Sequence, residues 1–299
     1  MSYKNPNFFV IGGPKCGTTS FCRYLCDHPN VYIPTIKEPW FFASDFHNLT
    51  RSVTSKREYK SLFDNASNYR AVGEGSTIYL YSNVAIEKIL RFNPDSKFIV
   101  LFRKPEDMVY SWHSEVFNGK VSNFEQVIGM SYRSRVKEFV PRVNVEEKMF
   151  DYEGICRLGN QVSNLIDIID EDKLLVLNLR TLKNQPQKVI STTFSFLGLR
   201  PHIKDNFEIY NSNSSDIFST INYVIELLRR TYLHNVSTYL KRKLGVSEWQ
   251  ILKMIHKLNS VPSNRPPLRD EVKSQMQDYF RDDRELLRNM INKYNINSI

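Results

Sequence analysis

Over the first two hundred positions the apolar residues arrive in short runs, separated by stretches where they recur every three or four residues. The run "NFFVIGG", closed by two glycines, suits a buried parallel strand, and "TTSFCRYLCDHP" after it keeps helical spacing as far as Pro29. The alternation then repeats. "YRAVGEGS" reads as a second strand and "NVAIEKILRFNP" as a helix stopped by Pro94. "SKFIVLFRKP" is the strongest strand in the chain, and Pro105 opens the helix "PEDMVYSWHSEVF" in the first-turn position that proline favours. "DKLLVLNLRTL" reads as a fourth strand and "PQKVISTTFSFLGL" as the helix after it. Strands alternating with helices predict right-handed crossovers and an α/β fold, a central, mostly parallel sheet flanked by helices in three layers.

Beyond that frame the pattern weakens. Residues 117–150 are charged and irregular and read equally as helix or as a mobile lid. After "NSNSSD" the chain turns basic and helical, "SVPSNRPPL" reads as a linker, and "LRDEVKSQMQDYFRDDRELLRNMI" as a closing amphipathic helix. The expectation is one domain over 1–299, with a core at 5–210 and a C-terminal helical extension at 216–299.

Composition changes this picture little. No run approaches the ~20 apolar residues of a membrane span, and the N-terminus runs straight into a strand without the layout of a secretory leader, so a cytosolic (cytoplasmic) protein is expected. The formal net charge of +9 points to anionic ligands, and scattered aromatics without an RNA-binding motif argue against nucleic acid. Four cysteines are too few for a disulfide scaffold. Cys22, Cys26 and His28 lack a second ligand pair, so free buried thiols are expected and no metal site.

The candidate chemistry begins at "FFVIGGPKCGTTSF". A phosphate-binding P-loop reads G-x-x-x-x-G-K-[ST]. Gly12 and Gly17 keep that spacing and Thr19 sits where the hydroxyl belongs, yet the lysine position holds Thr18 and the loop's lysine is Lys15. The strand "KFIVLF" ends in Arg103, without the acid that supports a metal in nucleotide triphosphatases. Such a set is rich in cationic and amide donors and poor in metal ligands. It suits a phosphorylated ligand held at a helix N-terminus.

Four stretches in this order, "IGGPKCGTTSF", "KEPWFFA", "GEGS" and "FIVLFRKPEDMVYSWHSE", resemble the motifs of sulfotransferases that use 3'-phosphoadenosine 5'-phosphosulfate (PAPS). The likeness is to the carbohydrate branch typified by heparan sulfate sulfotransferases and their bacterial relatives, and the closing helix extends it over most of the chain. It implies a P-loop-like fold, PAPS as donor, adenosine 3',5'-bisphosphate (PAP) as product and no metal. Lys15 then sits beside the oxygen bridging phosphate and sulfuryl group. Cys16, Gly17, Thr18, Thr19 and Ser20 cradle the 5'-phosphate, and Arg103 and Ser111 grip the 3'-phosphate.

For the base that takes the acceptor's proton, the resemblance points to Glu74 at the end of its strand, where active sites of open α/β sheets tend to fall. His113 is the alternative, because branches acting on phenols use histidine; sulfation of a phenolic or other small-molecule natural product goes with it. Lys37 matches the KEP-x-FF pattern and is a candidate contact to the sulfuryl group or acceptor, although Trp40 departs from the usual histidine. Eukaryotic members carry a basic loop over the 3'-phosphate where this chain has "NSNSSD", so Asn211 and Ser212 stand as hydrogen-bond donors there. The expected acceptor is a carbohydrate or glycolipid hydroxyl or amine, with peripheral membrane contact through the basic segment around "LKRKLG" as a further option. The rival readings are a metal-dependent P-loop kinase and a non-catalytic nucleotide- or glycan-binding module.

Overall fold

The computed structural model describes residues 4–46, 53–117, 124–143, 146–202 and 267–293, with Phe207 and the short pieces 214–216, 260–262 and 297–298. The elements run β1 (Phe8–Gly12), α1 (Thr18–Leu25), β2 (Val31–Tyr32), α2 (Lys56–Ser61), β3 (Ala71–Gly75), a 3-10 turn (Thr77–Leu80), α3 (Ala85–Phe92), β4 (Lys97–Phe102) and α4 (Pro105–Val116). They continue with α5 (Phe124–Ile128), α6 (Tyr132–Val143), α7 (Tyr152–Cys156), α8 (Leu158–Ile166), β5 (Leu174–Asn178), α9 (Leu179–Asn184) and α10 (Pro186–Phe196). Two short strands, β6 (Ser214–Asp216) and β7 (Ser260–Pro262), precede α11 (Asp270–Tyr279), α12 (Arg281–Lys293) and β8 (Asn297–Ser298).

Six strands form one sheet in the order β2-β3-β1-β4-β5-β8, every pairing parallel. Parallel strands are covered on both faces and so carry unbroken apolar runs. All five residues of β1 are buried, as are the four central residues of β4. β1 lies between β3 and β4, so the chain leaves it in one direction for β2 and β3 and returns to its other side for β4. That reversal is the switch point at which open α/β sheets place their ligands, and the loop 13–17 occupies it.

Two compact units share the chain, Met1–Glu208 with Leu268–Ile299, and Ile209–Pro267. The first carries the six-stranded sheet. In the second, β6 and β7 pair antiparallel.

Several sequence expectations need correction. "LRTL" is not a continuation of β5: the side chain of Asn178, the strand's last residue, accepts a hydrogen bond from the Arg180 backbone N–H at 2.8 Å and caps α9. The closing helix is two helices, broken at Phe280, which is 1% exposed. The break brings Asp283 onto the start of α8, where its carboxylate accepts from the backbone N–H groups of Gly159 and Asn160, both at 2.9 Å. Within 117–150, which read as helix or as lid, Phe124–Ile128 and Tyr132–Val143 are helical. Arg135 of α6 ties them down. Its buried guanidinium donates to the carbonyls of Val127, Ile128 and Phe150 and pairs with Glu153.

Candidate active site

The loop after β1 is shaped by two left-handed residues. Gly13 N–H donates to the Leu101 carbonyl of β4 at 2.8 Å, fixing the loop's first residue to the sheet. Lys15 then takes φ 62° and Gly17 φ 80°. At Gly17 a side chain is excluded twice, by backbone conformation and by Leu179, whose Cδ1 lies 2.5 Å from where a Cβ would stand. α1 starts at the next residue, so its unpaired N–H groups open onto the loop. Thr18 and Ser20 are buried within that first turn, and Thr19 is half-buried.

Cations converge on the same loop. Arg103, just past β4, donates from Nη1 to the Lys15 carbonyl at 3.1 Å, and its Nη2 lies 3.8 Å from Asp107. Lys15 reaches the other way, its Nζ donating to Glu115 of α4 at 2.6 Å. Ser111 lies buried on α4, between Asp107 and Glu115 in sequence. Cys16 is fully buried, and burial pushes its thiol up to about 12, so it enters the loop as packing rather than as a nucleophile. None of the four cysteines forms a disulfide. Among the described residues no cluster of His, Cys, Asp and Glu has the arrangement of a metal site.

A second feature is the turn around Glu38, which with Lys37 matches the KEP-x-FF pattern but carried no role of its own in the sequence. Glu38 and Trp40 hold φ of 58° and 54°, strained values for residues with side chains. The turn is pinned to the end of β3 by Glu38 N–H donating to the Gly75 carbonyl at 2.9 Å. The Glu38 carboxylate accepts from Thr77 N–H at 2.8 Å and from Trp40 Nε1 at 3.0 Å, and forms an ion pair with Lys37. Its side chain keeps about a quarter of its surface exposed (27%). Gly75 fills the gap between this turn and α1: a Cβ there would stand 3.0 Å from Cys22 Sγ and 3.9 Å from Lys37 Cε. The charges of Lys37 and Glu38 both act on the Cys22 thiol, whose raised pKa is set mainly by burial.

Glu74 sits one layer deeper. It is wholly buried, with Ser76 Oγ donating to one carboxylate oxygen at 2.6 Å and Tyr59 OH to the other at 2.5 Å. Around Tyr59 lies an aromatic cluster: Phe41 stacks on it at 4.4 Å between centroids, and Phe42 meets it edge-on at 5.0 Å. Burial pushes Glu74 up to about 7, against the lowering effect of its hydroxyl donors Ser76, Tyr59 and Tyr79. Ser76 links the two carboxylates, because Trp40 N–H donates to its Oγ at 3.3 Å.

The other expected site residues fall outside this group. His113 is 2% exposed on α4, its Nδ1 3.1 Å from Tyr152 OH and its ring packed with Phe117 and Phe124. Its place is that of a core histidine. Asn211, Ser212 and the "LKRKLG" segment lie outside the described residues.

Comparison with known proteins gives these features a setting. The family model described as "Sulfotransferase domain" matches residues 5–287. The chain is 24% identical over 203 residues to the bifunctional heparan sulfate N-deacetylase/N-sulfotransferase 3 of Mus musculus, covering 66% of this chain and 23% of that protein. It is 24% identical over 255 residues to carbohydrate sulfotransferase 15 of Homo sapiens, covering 66% of this chain and 44% of that one. The chain thus spans less than half the length of these two curated relatives. Among solved structures, a sulfotransferase from Alicyclobacillus acidocaldarius shares the fold at a TM-score of 0.66 and 22% identity, over 97% of this chain and 96% of that one.

Proposed function

Because the chain belongs to the sulfotransferase domain family, we propose that it transfers the sulfuryl group of PAPS to a hydroxyl or amine of a carbohydrate or glycolipid acceptor. The observation that carries this reading is the convergence of the α1 N-terminus, Lys15 and Arg103 on one loop at the sheet's switch point. The α1 amides receive the 5'-phosphate, supported by Thr18 and Thr19 and by the helix dipole. Arg103 and Ser111 take the 3'-phosphate. Lys15 leaves Glu115 to neutralise the charge that builds on the phosphate oxygen as its bond to sulfur breaks.

For the proton, the geometry favours Glu38 over the two residues expected from sequence. An acceptor must come within hydrogen-bond reach of its base. Glu38 is part-exposed at the end of β3, beside α1 and next to Lys37, whereas Glu74 and His113 are sealed in aromatic surroundings. In this scheme the acceptor oxygen or nitrogen attacks sulfur, its proton passes to Glu38, and PAP departs with the electrons of the broken sulfur–oxygen bond. Lys37, paired with Glu38, is assigned to the sulfuryl oxygens.

The test compares Glu38→Gln and Glu74→Gln for sulfuryl transfer from labelled PAPS to a panel of glycans, with PAP affinity measured alongside. Loss of an acid–base group costs about 10²–10⁴-fold in turnover. That loss is expected for Glu38→Gln with PAP affinity unchanged, and Glu74→Gln is expected to keep turning over. The reverse result would return the base to Glu74.

A further inference from the structure

Beside the 3-10 turn that follows β3, the chain forms a groove of about 430 Å³, within the range of small-molecule sites. One wall is the turn's end and the start of α3; the other is the face of α8. We propose that this groove is an acceptor subsite for an uncharged sugar unit next to the one receiving sulfate. The assignment deepens the sulfuryl-transfer reading above and rests on it.

The lining chemistry selects the ligand class. Asn83, Asn160 and Asn164 line the groove. Asn83 and Asn160 are anchored by the protein through their backbone N–H groups, to Asp45 and Asp283. A carboxamide donates and accepts at once, as a sugar hydroxyl does, so three of them suit a polyol better than an ion. The two charged lining residues are already engaged. Glu87 pairs with Arg91 at 3.1 Å, and Arg157 donates to Tyr279 OH at 3.0 Å while its guanidinium lies over that ring at 5.3 Å. The described lining thus holds one charge of each sign, and not the cationic cluster that binds a sulfate or phosphate. Leu80, Ile86 and Leu165 supply apolar surface for the C–H face of a ring, extended by Ile168, which is 48% exposed.

Position ties the groove to the transfer site. Thr77, the first residue of the 3-10 turn, holds the Glu38 carboxylate, and Leu80, its last, lines the groove. At roughly 2 Å rise per residue that turn separates the two by about 6 Å along its axis. In this assignment an acceptor chain lying past Glu38 places its neighbouring unit in the groove. The groove takes the unit beside the reacting one, and without a cationic cluster it has no specific hold on a densely sulfated glycan.

The experiment is calorimetric titration of the full chain with PAP, and separately with malto-, cello- and chito-hexaose. The comparison protein is the double variant Asn160→Ala, Asn164→Ala. Both positions are solvent-exposed on α8, where alanine is the better helix former, so the fold is kept. The wild type is expected to bind at least one hexaose, and the double variant to bind it about tenfold or more weakly, with PAP affinity the same in both. The proposal is overturned if no hexaose binds the wild type, if the double variant binds as well as wild type, or if a heparin hexasaccharide is the ligand whose binding the two substitutions remove. Failure of PAP to bind would instead count against the donor reading, since the hexaose titrations are read without it.

Discussion

Burying Glu74 makes stability depend on pH in a direction opposite to that of most carboxylates. Its pKa rises from the usual 4.5 to about 7, chiefly through burial. The folded state therefore holds the proton more tightly than the unfolded chain does. The stabilisation is fully present below the unfolded value near 4.5 and is lost as pH rises through about 7. At about 1.4 kcal/mol per pKa unit, the difference corresponds to about 3 kcal/mol between mildly acid and alkaline solution. Glu74→Gln keeps the shape and removes the titration. Urea unfolding of wild type and variant, each at about pH 5 and about pH 8, isolates the effect as a difference of differences, in which the cost of rearranging the hydrogen bonds of Tyr59 and Ser76 cancels. Relative to wild type, the variant is expected to gain about 2–3 kcal/mol on going from the lower pH to the higher, slightly less than the full difference because pH 5 already lies above the unfolded value. Parallel pH dependences in the two proteins would show that the carboxyl is ionised and solvated in the folded state, contrary to its burial among aromatics.

Two further outcomes bear on the donor loop. Arg103→Ala is expected to weaken PAP binding by about 1.5–3 kcal/mol, the worth of a charge-assisted hydrogen bond, and to erase most of the preference over adenosine 5'-phosphate; calorimetry with both nucleotides checks it, and an unchanged preference removes Arg103 from the 3'-phosphate. Gly17→Ala sets a methyl group 2.5 Å from Leu179 in a left-handed conformation, and is expected to cost about 1–3 kcal/mol of stability together with a loss of PAP affinity, read from thermal melts and titration.

The sheet was legible where its strands are long and covered on both faces. β1, β4 and β5 announce themselves as apolar runs with glycine, proline or charge at their ends, and β3 by a short apolar start closed by glycines. β2 and β8 do not, because two residues carry no period and Asn297–Ser298 has no apolar residue; pairing with β3 and β5 makes them strands. In the site, Lys15, Gly17 and Arg103 were readable because a loop spacing and a strand end are local properties. The position of Glu38 was not, for it depends on a left-handed backbone and on a carboxylate gathered in by Thr77 N–H, thirty-nine residues away in sequence. Glu74 and His113 illustrate the converse. A strand-end acid and a helical histidine look available in a sequence, and tertiary packing decides that both are enclosed.

Arg135 has a consequence for how the middle of the chain comes apart. Three main-chain carbonyls and one carboxylate converge on its guanidinium from both sides of the excursion between α4 and α7. Withdrawing the guanidinium would leave those carbonyls and the carboxylate without their buried partner at once. The described pieces that it joins, α5, α6 and the turn before α7, are therefore expected to come loose together, like a buckle with one pin.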